Sequence, residues 1–280
     1  MNAEPGISLI CATRNRTTEL RRLMESLCQQ SNKNFELILV DQNENLIEPL
    51  VAEFAEHLNL QHTKQTEANN SKARNLGATI ARYTWLGFPD DDCWYPPDFI
   101  ANLHKELKAD RAGLFINWSD PLQQPTKTRF QFTEGAMSQE EAFALASCIC
   151  LFVERTTFAR VGGFNEKLGL GSDTLLKAGE EQELTLRVLQ SGNTICKVPH
   201  LFVHHQMHER VWDKEFEKRI ASQGACDYLF TKKFVGSIRA TMLLGTWLAA
   251  VLYNLLRLKK QNRRWYWLKL KGALTAPNIV

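Results

Sequence analysis

Residues 83–92 read YTWLGFPDDD, a short apolar stretch that ends in a proline and three consecutive aspartates. The apolar part predicts a buried strand, and Pro89 disfavours helix at the residue before it. If the chain stays extended, Asp90 and Asp92 point to one side and Asp91 to the other. Two carboxylates on one side repel each other unless a cation lies between them, and oxygen ligands suit Mg²⁺ or Mn²⁺. The simpler interpretation is an acidic turn ahead of the next helix.

Strand and helix patterns alternate through the first hundred residues around this stretch. Buried strands are predicted at 7–12, 35–40, 58–62 and 83–88, and helices at 17–29, 46–57, 70–81 and from Pro96 onward. Such alternation predicts an α/β fold, with a mostly parallel sheet and helices on both faces. Ligands of these sheets bind beyond the carboxyl ends of the strands, which is where the aspartates lie.

The pattern is less regular farther along the chain. Residues 110–145 contain prolines and a polar stretch, so we expect loops and edge strands there. A strand is predicted at 147–153 and a helix at 180–190. Glu180 and Glu181 begin that helix, where its dipole keeps carboxylates ionised and suits a general base. From spacing alone, an ordinary helix start explains them as well.

Composition limits the class of protein. The chain has 280 residues, of which 44% are hydrophobic and 23% charged, so it is neither disordered, collagen-like nor a polytopic membrane protein. Seven cysteines without a CxxC pair argue against a disulfide scaffold or a zinc ribbon, and predict a reducing compartment. The first apolar run is too short for a signal peptide and lacks a preceding basic region.

Charge is distributed unevenly along the chain. Ten basic residues and no acidic one follow Asp227, which leaves 24 basic against 31 acidic residues up to that point. An uncharged apolar run at 240–256 is followed by a basic, aromatic stretch at 257–271. These features predict a helical, membrane-associated tail at 236–280 behind a catalytic domain at 1–235. Lying on the membrane is favoured over spanning it, and a helix packed on the core is the alternative.

Taken together, these segments resemble a family 2 glycosyltransferase with the GT-A fold. The resemblance covers most of residues 7–205. It rests on CATRNR at 11–16, LVD at 39–41, SKARNLG at 71–77, FPDDD at 88–92, VGGFNE at 161–166 and GEE at 179–181.

The resemblance implies roles for particular residues. The nucleotide-sugar contacts would be Thr13, Arg14, Asn15, Asp41, Arg74, Asp90 and Asp91. Asp90 and Asp92 would hold Mn²⁺ or Mg²⁺, completed by His204 or His205, of which His204 is our choice. Glu181 would be the catalytic base, with Glu180 as the alternative.

The resemblance also implies the reaction. We expect an inverting hexosyltransferase that moves a sugar from a UDP-linked donor to a glycan or lipid-linked acceptor. The acceptor would be presented at the inner face of the cell membrane, where the cytoplasmic enzyme would associate peripherally through its tail. We expect no nucleic-acid partner.

Some positions depart from the family pattern. Gln42 stands where a second aspartate is frequent, Glu181 follows Glu180 where Glu-Asp is common, and Asn165 replaces an aspartate. Residues 261–265 match the QxxRW pattern of processive synthases, but they lie beyond the apolar run and far from Glu181. We interpret that match as chance and do not expect a processive synthase.

Two other functions fit parts of the sequence. A nucleotidyltransferase on a similar fold needs a glycine-rich loop after the first strand, and residues 11–16 contain no glycine. A nucleic-acid-binding protein would use the basic tail, but the acidic body would repel nucleic acid.

Overall fold

The computed structural model describes residues 4–108, 110–123, 126–128, 130–207 and 211–276. Its strands are β1 (Glu4–Thr13), β2 (Phe35–Asp41), β3 (Leu60–Lys64), β4 (Tyr83–Gly87), β5 (Cys93–Trp94), β6 (Gly113–Asp120), β7 (Lys127–Thr128), β8 (Gly135–Ala136), β9 (Leu151–Glu154) and β10 (Ile195–His205). Its α-helices are α1 (Thr18–Cys28), α2 (Glu48–Phe54), α3 (Asn70–Ile80), α4 (Phe99–Glu106), α5 (Gln139–Leu145), α6 (Arg155–Arg160), α7 (Glu180–Gln190), α8 (Lys214–Phe230), α9 (Ser237–Leu256) and α10 (Lys260–Leu274).

All of these strands belong to one mixed sheet. The order is β3-β2-β1-β4-β9-β6-β10-β5, and β7 and β8 pair with β6 and β10. The strands β3, β2, β1 and β4 run parallel, as do β6 and β10, whereas β9 lies antiparallel between β4 and β6. The predicted α/β fold is confirmed.

The sheet is covered on both faces. Every residue of β2 is buried, and successive side chains of a strand point to opposite faces, so neither face meets water there. Helix α3 covers β1 closely: a Cβ added at Gly77 would lie 2.3 Å from Cγ2 of Ile10. This close approach fixes the position of α3, which carries the buried Arg74.

The strand register places three polar residues side by side. Thr13, the last residue of β1, pairs with Asp41 at the end of β2, and Asp41 pairs with Lys64 at the end of β3. Carboxyl ends of parallel strands form one edge, so the loops that follow them converge.

Two segments differ from the prediction. Within 110–145, where we expected loops and edge strands, β6 lies inside the sheet between β9 and β10. Polar residues such as Asn117 and Ser119 interrupt its apolar pattern, although both are buried. Helix α5 follows, and a reciprocal cap between Ser138 and Glu141 fixes its start.

The last three helices pack on one another, and we call α8–α10 the C-terminal helical unit. Helix α10 lies against both α8 and α9. Trp247, Leu270 and Ala273 form a small apolar cluster inside the unit. The tail is helical as predicted, while its contact with a membrane stays a prediction.

Candidate active site

The three aspartates after β4 occupy a turn rather than an extended chain. The backbone N–H of Cys93 donates to the carbonyl oxygen of Asp90 over 3.1 Å, which closes the turn. The chain is therefore not extended here, but Asp90 and Asp92 still lie close to each other while Asp91 points elsewhere. We call residues 90–93 the acidic turn, and its carboxylates have different partners.

Asp91 points into the protein. It accepts hydrogen bonds from Oγ1 of Thr13 and Nη1 of Arg16, both over 2.9 Å. Burial raises the pKa of Asp91 to about 6, and the charges of Asp90 and Asp92 add to the rise against the opposing effect of Arg16 and Thr13. Asp91 thus ties the turn to the end of β1.

Asp92 faces two cations instead. Its Oδ1 lies 3.2 Å from Nε2 of His205, and its Oδ2 accepts a hydrogen bond from Arg16 over 2.5 Å. Burial works to raise the pKa of Asp92, but His205 and Arg16 outweigh it and lower the pKa to about 2. Conversely, Asp92 raises the pKa of His205 against the effect of burial. Asp92 is therefore ionised at any physiological pH.

Asp90, Asp92 and His205 form a candidate metal centre. Each offers one ligand atom, and these atoms lie within 4.8 Å of one another. Oδ1 of Asp92 is buried, and its contact among the described residues is the 3.2 Å ion pair with His205, so it keeps a further lone pair for a cation. The two carboxylates fit Mn²⁺ or Mg²⁺, and the imidazole suits a transition metal such as Mn²⁺ better than Mg²⁺, which prefers oxygen ligands.

The structure brings His205, rather than the predicted His204, to this centre. Nδ1 of His204 lies 3.0 Å from Oγ of Ser119, and its ring packs against Trp94. Adjacent strand residues point to opposite faces, so only one histidine of the pair can reach the aspartates.

Arg74 connects the acidic turn to α7. This buried side chain donates from Nη2 to Oδ1 of Asp90 over 2.9 Å and from Nη1 to Oε1 of Glu180 over 3.1 Å. Its Nε has no hydrogen-bond partner among the described residues. A buried guanidinium between two carboxylates supplies a fixed positive charge next to the turn.

Glu180 and Glu181 form the first turn of α7. Burial raises the pKa of Glu181 to about 8, and the charge of Glu180 adds to the rise. Gly169 makes room for Glu180: its φ is +87°, and an added Cβ would lie 2.7 Å from Cδ of Glu180. The buried thiol of Cys148 lies within 4.8 Å of both carboxylates, and burial raises its pKa, so it stays neutral.

Asp41 lies at the same edge but is fully buried. Its two oxygens accept from the backbone and side chain of Asn43, at 2.9 and 2.7 Å, and lie 3.0 Å from Nε2 of His62 and 2.8 Å from Nζ of Lys64. Together these contacts use the four acceptor positions of a carboxylate. Asp41 therefore orders the loop after β2.

The loop after β1 carries the other predicted nucleotide contacts. Asn15 has a left-handed φ of +59°, and its N–H donates to Oδ1 of Asn43 over 2.6 Å. Arg14 is exposed beside it, and Gln42 is buried, accepting a hydrogen bond from the backbone of Asn69. The two loops after β1 and β2 are thus joined, and Asn43 is the link that sequence reasoning missed.

Arg16 and Arg22 are also missed contributors. Arg16 bonds both Asp91 and Asp92. Nη2 of Arg22 donates to the carbonyl oxygen of Asp92 over 2.9 Å, and its guanidinium lies 3.8 Å from the centroid of the Trp94 ring. Arg16 ends the CATRNR segment, so that motif is a signal that could have identified it. Nothing in the helical pattern of α1 distinguishes Arg22.

Solved structures share the fold of this chain. A mannosyltransferase from Pyrobaculum calidifontis, in complex with GDP-Man and Mn²⁺, matches 97% of this chain and 87% of its own with a TM-score of 0.63 and 15% identity. S. aureus TarS 1–349 in complex with UDP-GlcNAc matches 80% of this chain and 66% of its own with a TM-score of 0.60 and 17% identity. The likeness shows that the fold is GT-A, that of a class of glycosyltransferases.

The sequence places the chain within that class. Residues 8–147, half of the chain, match the family model described as Glycosyl transferase family 2. The chain belongs to glycosyl transferase family 2, as its resemblance predicts.

Curated relatives agree with the family. A protein described as an uncharacterized glycosyltransferase of Haemophilus influenzae is 26% identical over 193 residues, which cover 66% of this chain and 62% of that protein. Glycosyltransferase GlyA of Streptococcus pneumoniae is 26% identical over 118 residues, or 41% of this chain and 17% of GlyA. The chain thus matches less than two thirds of these relatives' length.

Proposed function

We propose that the chain transfers a sugar from a nucleoside-diphosphate sugar to a hydroxyl group of an acceptor, with inversion at the anomeric carbon. The observation that carries the proposal is the pair of contacts made by Arg74, which holds the acidic turn and Glu180 at one edge of the sheet. A cation, a cluster of oxygen ligands and a candidate base are the groups that such a transfer needs.

Glu181 acts as the general base. The acceptor oxygen attacks the anomeric carbon, the bond from that carbon to the phosphate oxygen breaks, and the hydroxyl proton passes to Glu181. A carboxylate with a pKa of about 8 accepts a proton more readily than an ordinary glutamate, provided that the pH is high enough to ionise it. Glu180 is bonded to Arg74 and is the less suitable of the two.

Arg74 and the acidic turn receive the leaving nucleoside diphosphate. Asp90, Asp92 and His205 would hold Mn²⁺ or Mg²⁺, which when bound supplies positive charge to the diphosphate. Arg74 adds a fixed charge that water does not screen, because the side chain is buried. The complexes of two fold neighbours with nucleotide sugars, one of them with Mn²⁺, support this assignment.

Thr13, Arg14, Asn15 and Asp41 define the region proposed for the nucleotide. Asp41 and Asn43 shape the loop, while the exposed Arg14 and Asn15 would contact the ligand directly. We propose a UDP-linked donor. Turnover measured with UDP-, GDP- and ADP-linked sugars tests this choice.

The acceptor is proposed to be a glycan or a lipid-linked glycan at the inner face of the cell membrane. Residues 1–235 would form the catalytic domain, and residues 236–280 would hold the cytoplasmic enzyme at the membrane. The exposed apolar residues of α9 and the excess of basic residues after Asp227 support this placement.

Release of the nucleoside diphosphate tests the proposed chemistry. We expect release to need Mn²⁺ or Mg²⁺ and to be lost in Asp92→Asn, while Asp98→Asn, an exposed aspartate outside the turn, keeps full activity. Full activity of both Asp92→Asn and Glu181→Gln would contradict the assignment of metal ligand and base.

A further inference from the structure

Helix α9 has one buried side and one exposed apolar side. Ala240, Trp247 and Asn254 are buried and recur every seven residues, which is close to two helical turns, so they line one side. Ile238 and Leu256 lie on the opposite side and are 75% and 83% exposed. Met242, Leu252 and Tyr253 are exposed on that side as well.

This exposed side has no charge along its length. Residues 240–256 contain neither an acidic nor a basic side chain, whereas Arg239, Arg257, Lys259 and Lys260 flank them. These four side chains are exposed and form no ion pair with another described residue. An apolar helix face flanked by exposed cations without an acidic partner is complementary to the apolar core and anionic headgroups of a lipid surface.

The length of α9 also suits a membrane span. Its twenty residues extend about 30 Å, close to the thickness of a hydrocarbon core. A spanning α9 would place its middle residue, Trp247, near the bilayer centre. The contacts of Trp247 therefore decide between spanning and lying flat.

Charged groups pack against that middle residue. Nζ of Lys269 lies 5.4 Å from the centroid of the Trp247 ring and 2.7 Å from Oδ2 of Asp227. Near by on α10, Arg264 pairs with Glu217 of α8. A spanning α9 would carry these ion pairs into hydrocarbon, where charged groups are costly.

Insertion of α9 into a bilayer would also carry these ion pairs with it, because α8 and α10 are packed tightly together. A Cβ added at Gly272 would lie 1.8 Å from the carbonyl oxygen of Ala221, and one added at Gly224 would lie 2.3 Å from that of Lys269. Helix α8 is in turn tied to the residues that precede α7, since Sγ of Cys226 donates to the carbonyl oxygen of Ala178 over 3.0 Å. The C-terminal helical unit is therefore attached to the rest of the chain through α8.

We propose that α9 lies flat in the interface of an anionic lipid bilayer, with its exposed apolar side in the acyl boundary and its flanking cations on the headgroups. The inference rests on the membrane association proposed above and deepens it, because it fixes a monotopic mode of binding. The occupant of this surface is lipid rather than a second copy of the chain or a nucleic acid.

Vesicle flotation of the full chain tests the occupant. We expect binding to vesicles that contain phosphatidylglycerol, weak binding to pure phosphatidylcholine, and loss of binding in Leu252→Glu. Leu122→Glu, an exposed leucine outside the unit, is the matched control and should bind like the wild type. Each neutralised cation, as in Arg257→Gln, should lower the partition coefficient about fivefold.

Labelling with a membrane-impermeant maleimide tests the orientation. Cysteines introduced by Ser237→Cys and Lys259→Cys should both react from outside the vesicles, with the wild type as the blank, and alkaline carbonate should release the protein. Labelling of one end alone, or resistance to carbonate, would show a spanning helix and overturn the flat orientation.

Other outcomes separate this inference from the proposed reaction. A wild type that does not float, or a dimer that Leu252→Glu converts to monomers without any lipid binding, would overturn the lipid surface. Salt-sensitive binding to DNA without binding to vesicles would do the same. Release of nucleoside diphosphate measured with a water-soluble acceptor is independent of all these results, so the transferase proposal is tested separately.

Discussion

The acidic turn concentrates negative charge, and the part of the C-terminal helical unit after Asp227 concentrates positive charge. The two regions differ in how these charged side chains are partnered and exposed. In the turn, Asp91 and Asp92 are shielded from water and lie within 3.2 Å of their cationic or hydroxyl partners. In the unit, Arg257 and Lys259 are exposed and form no ion pair with another described residue. The comparison teaches that activity depends on the position and pKa of each single residue in the turn. Binding of the unit to a membrane depends instead on its summed charge and its exposed apolar area.

The largest effect expected within the site concerns the base. Glu181→Gln removes the proton acceptor, so kcat should fall about 10²- to 10⁴-fold. Nucleotide-sugar binding, measured by calorimetry, should change little. Glu140→Gln, another glutamate in the first turn of a helix, serves as the control and should keep wild-type kcat.

The raised pKa of Glu181 predicts the pH dependence of activity. Since the base must be ionised, kcat/KM should rise roughly tenfold per pH unit below about 8 and level off above it. A profile that is flat between pH 6 and 8, within the folded range of the protein, would contradict the role of Glu181.

The same raised pKa predicts that Glu181→Gln is more stable than the wild type. Folding raises the pKa of Glu181, so the folded chain keeps its proton between about pH 4.5 and 8 while the unfolded chain has lost it. The free energy of unfolding therefore falls as the pH rises through this window. Glu181→Gln removes the penalty, so its Tm should exceed that of the wild type increasingly up to pH 8. An unchanged Tm difference between pH 5 and 8 would contradict the raised pKa of Glu181.

A conservative substitution of Arg22 tests how strictly the acidic turn depends on a single side chain. Lysine at position 22 keeps the charge but cannot both stack on Trp94 and reach the carbonyl oxygen of Asp92. Arg22→Lys should weaken Mn²⁺ binding about 10- to 100-fold, as changes behind a metal ligand typically do. Its neighbour Arg21, which pairs with Glu53 at the surface, is the control, and Arg21→Lys should have little effect.

The smallest effect is expected in the unit. Arg257→Lys keeps the charge at an exposed position, so vesicle partition should stay within about twofold of the wild type. A strong loss would show that the arginine makes a specific contact, and the contrast with the turn would fail.

The elements predicted well are those whose burial shows in local sequence. The strands β1, β2 and β4 are apolar runs, and the apolar positions of α1 recur at helical spacing. The position of β6 inside the sheet was not predicted, because its polar residues are satisfied by partners elsewhere in the chain. Asn117, for example, donates to the carbonyl oxygen of Phe130. Local periodicity contains no information about such partners.

The same limit applies to the site. The acidic turn and the Glu180–Glu181 pair stood out in the sequence itself, whereas Arg74 came from the resemblance. All of them lie at one edge of the sheet. The contacts between them span 75 residues from Arg16 to Asp91 and 106 from Arg74 to Glu180, so no local pattern reveals them. The choice between His204 and His205 depends on the pairing of β10 with β5, which is also a property of the fold.

Thermal unfolding with nucleoside diphosphates, with and without Mn²⁺, tests the central claim most directly. A ligand that binds only the folded state raises its stability, so UDP and Mn²⁺ together should raise the Tm of the wild type more than the sum of their separate effects. In Asp92→Asn this joint effect should disappear. If no nucleoside diphosphate stabilises the wild type in a metal-dependent way, the acidic turn does not hold a metal-bound diphosphate and the account is wrong.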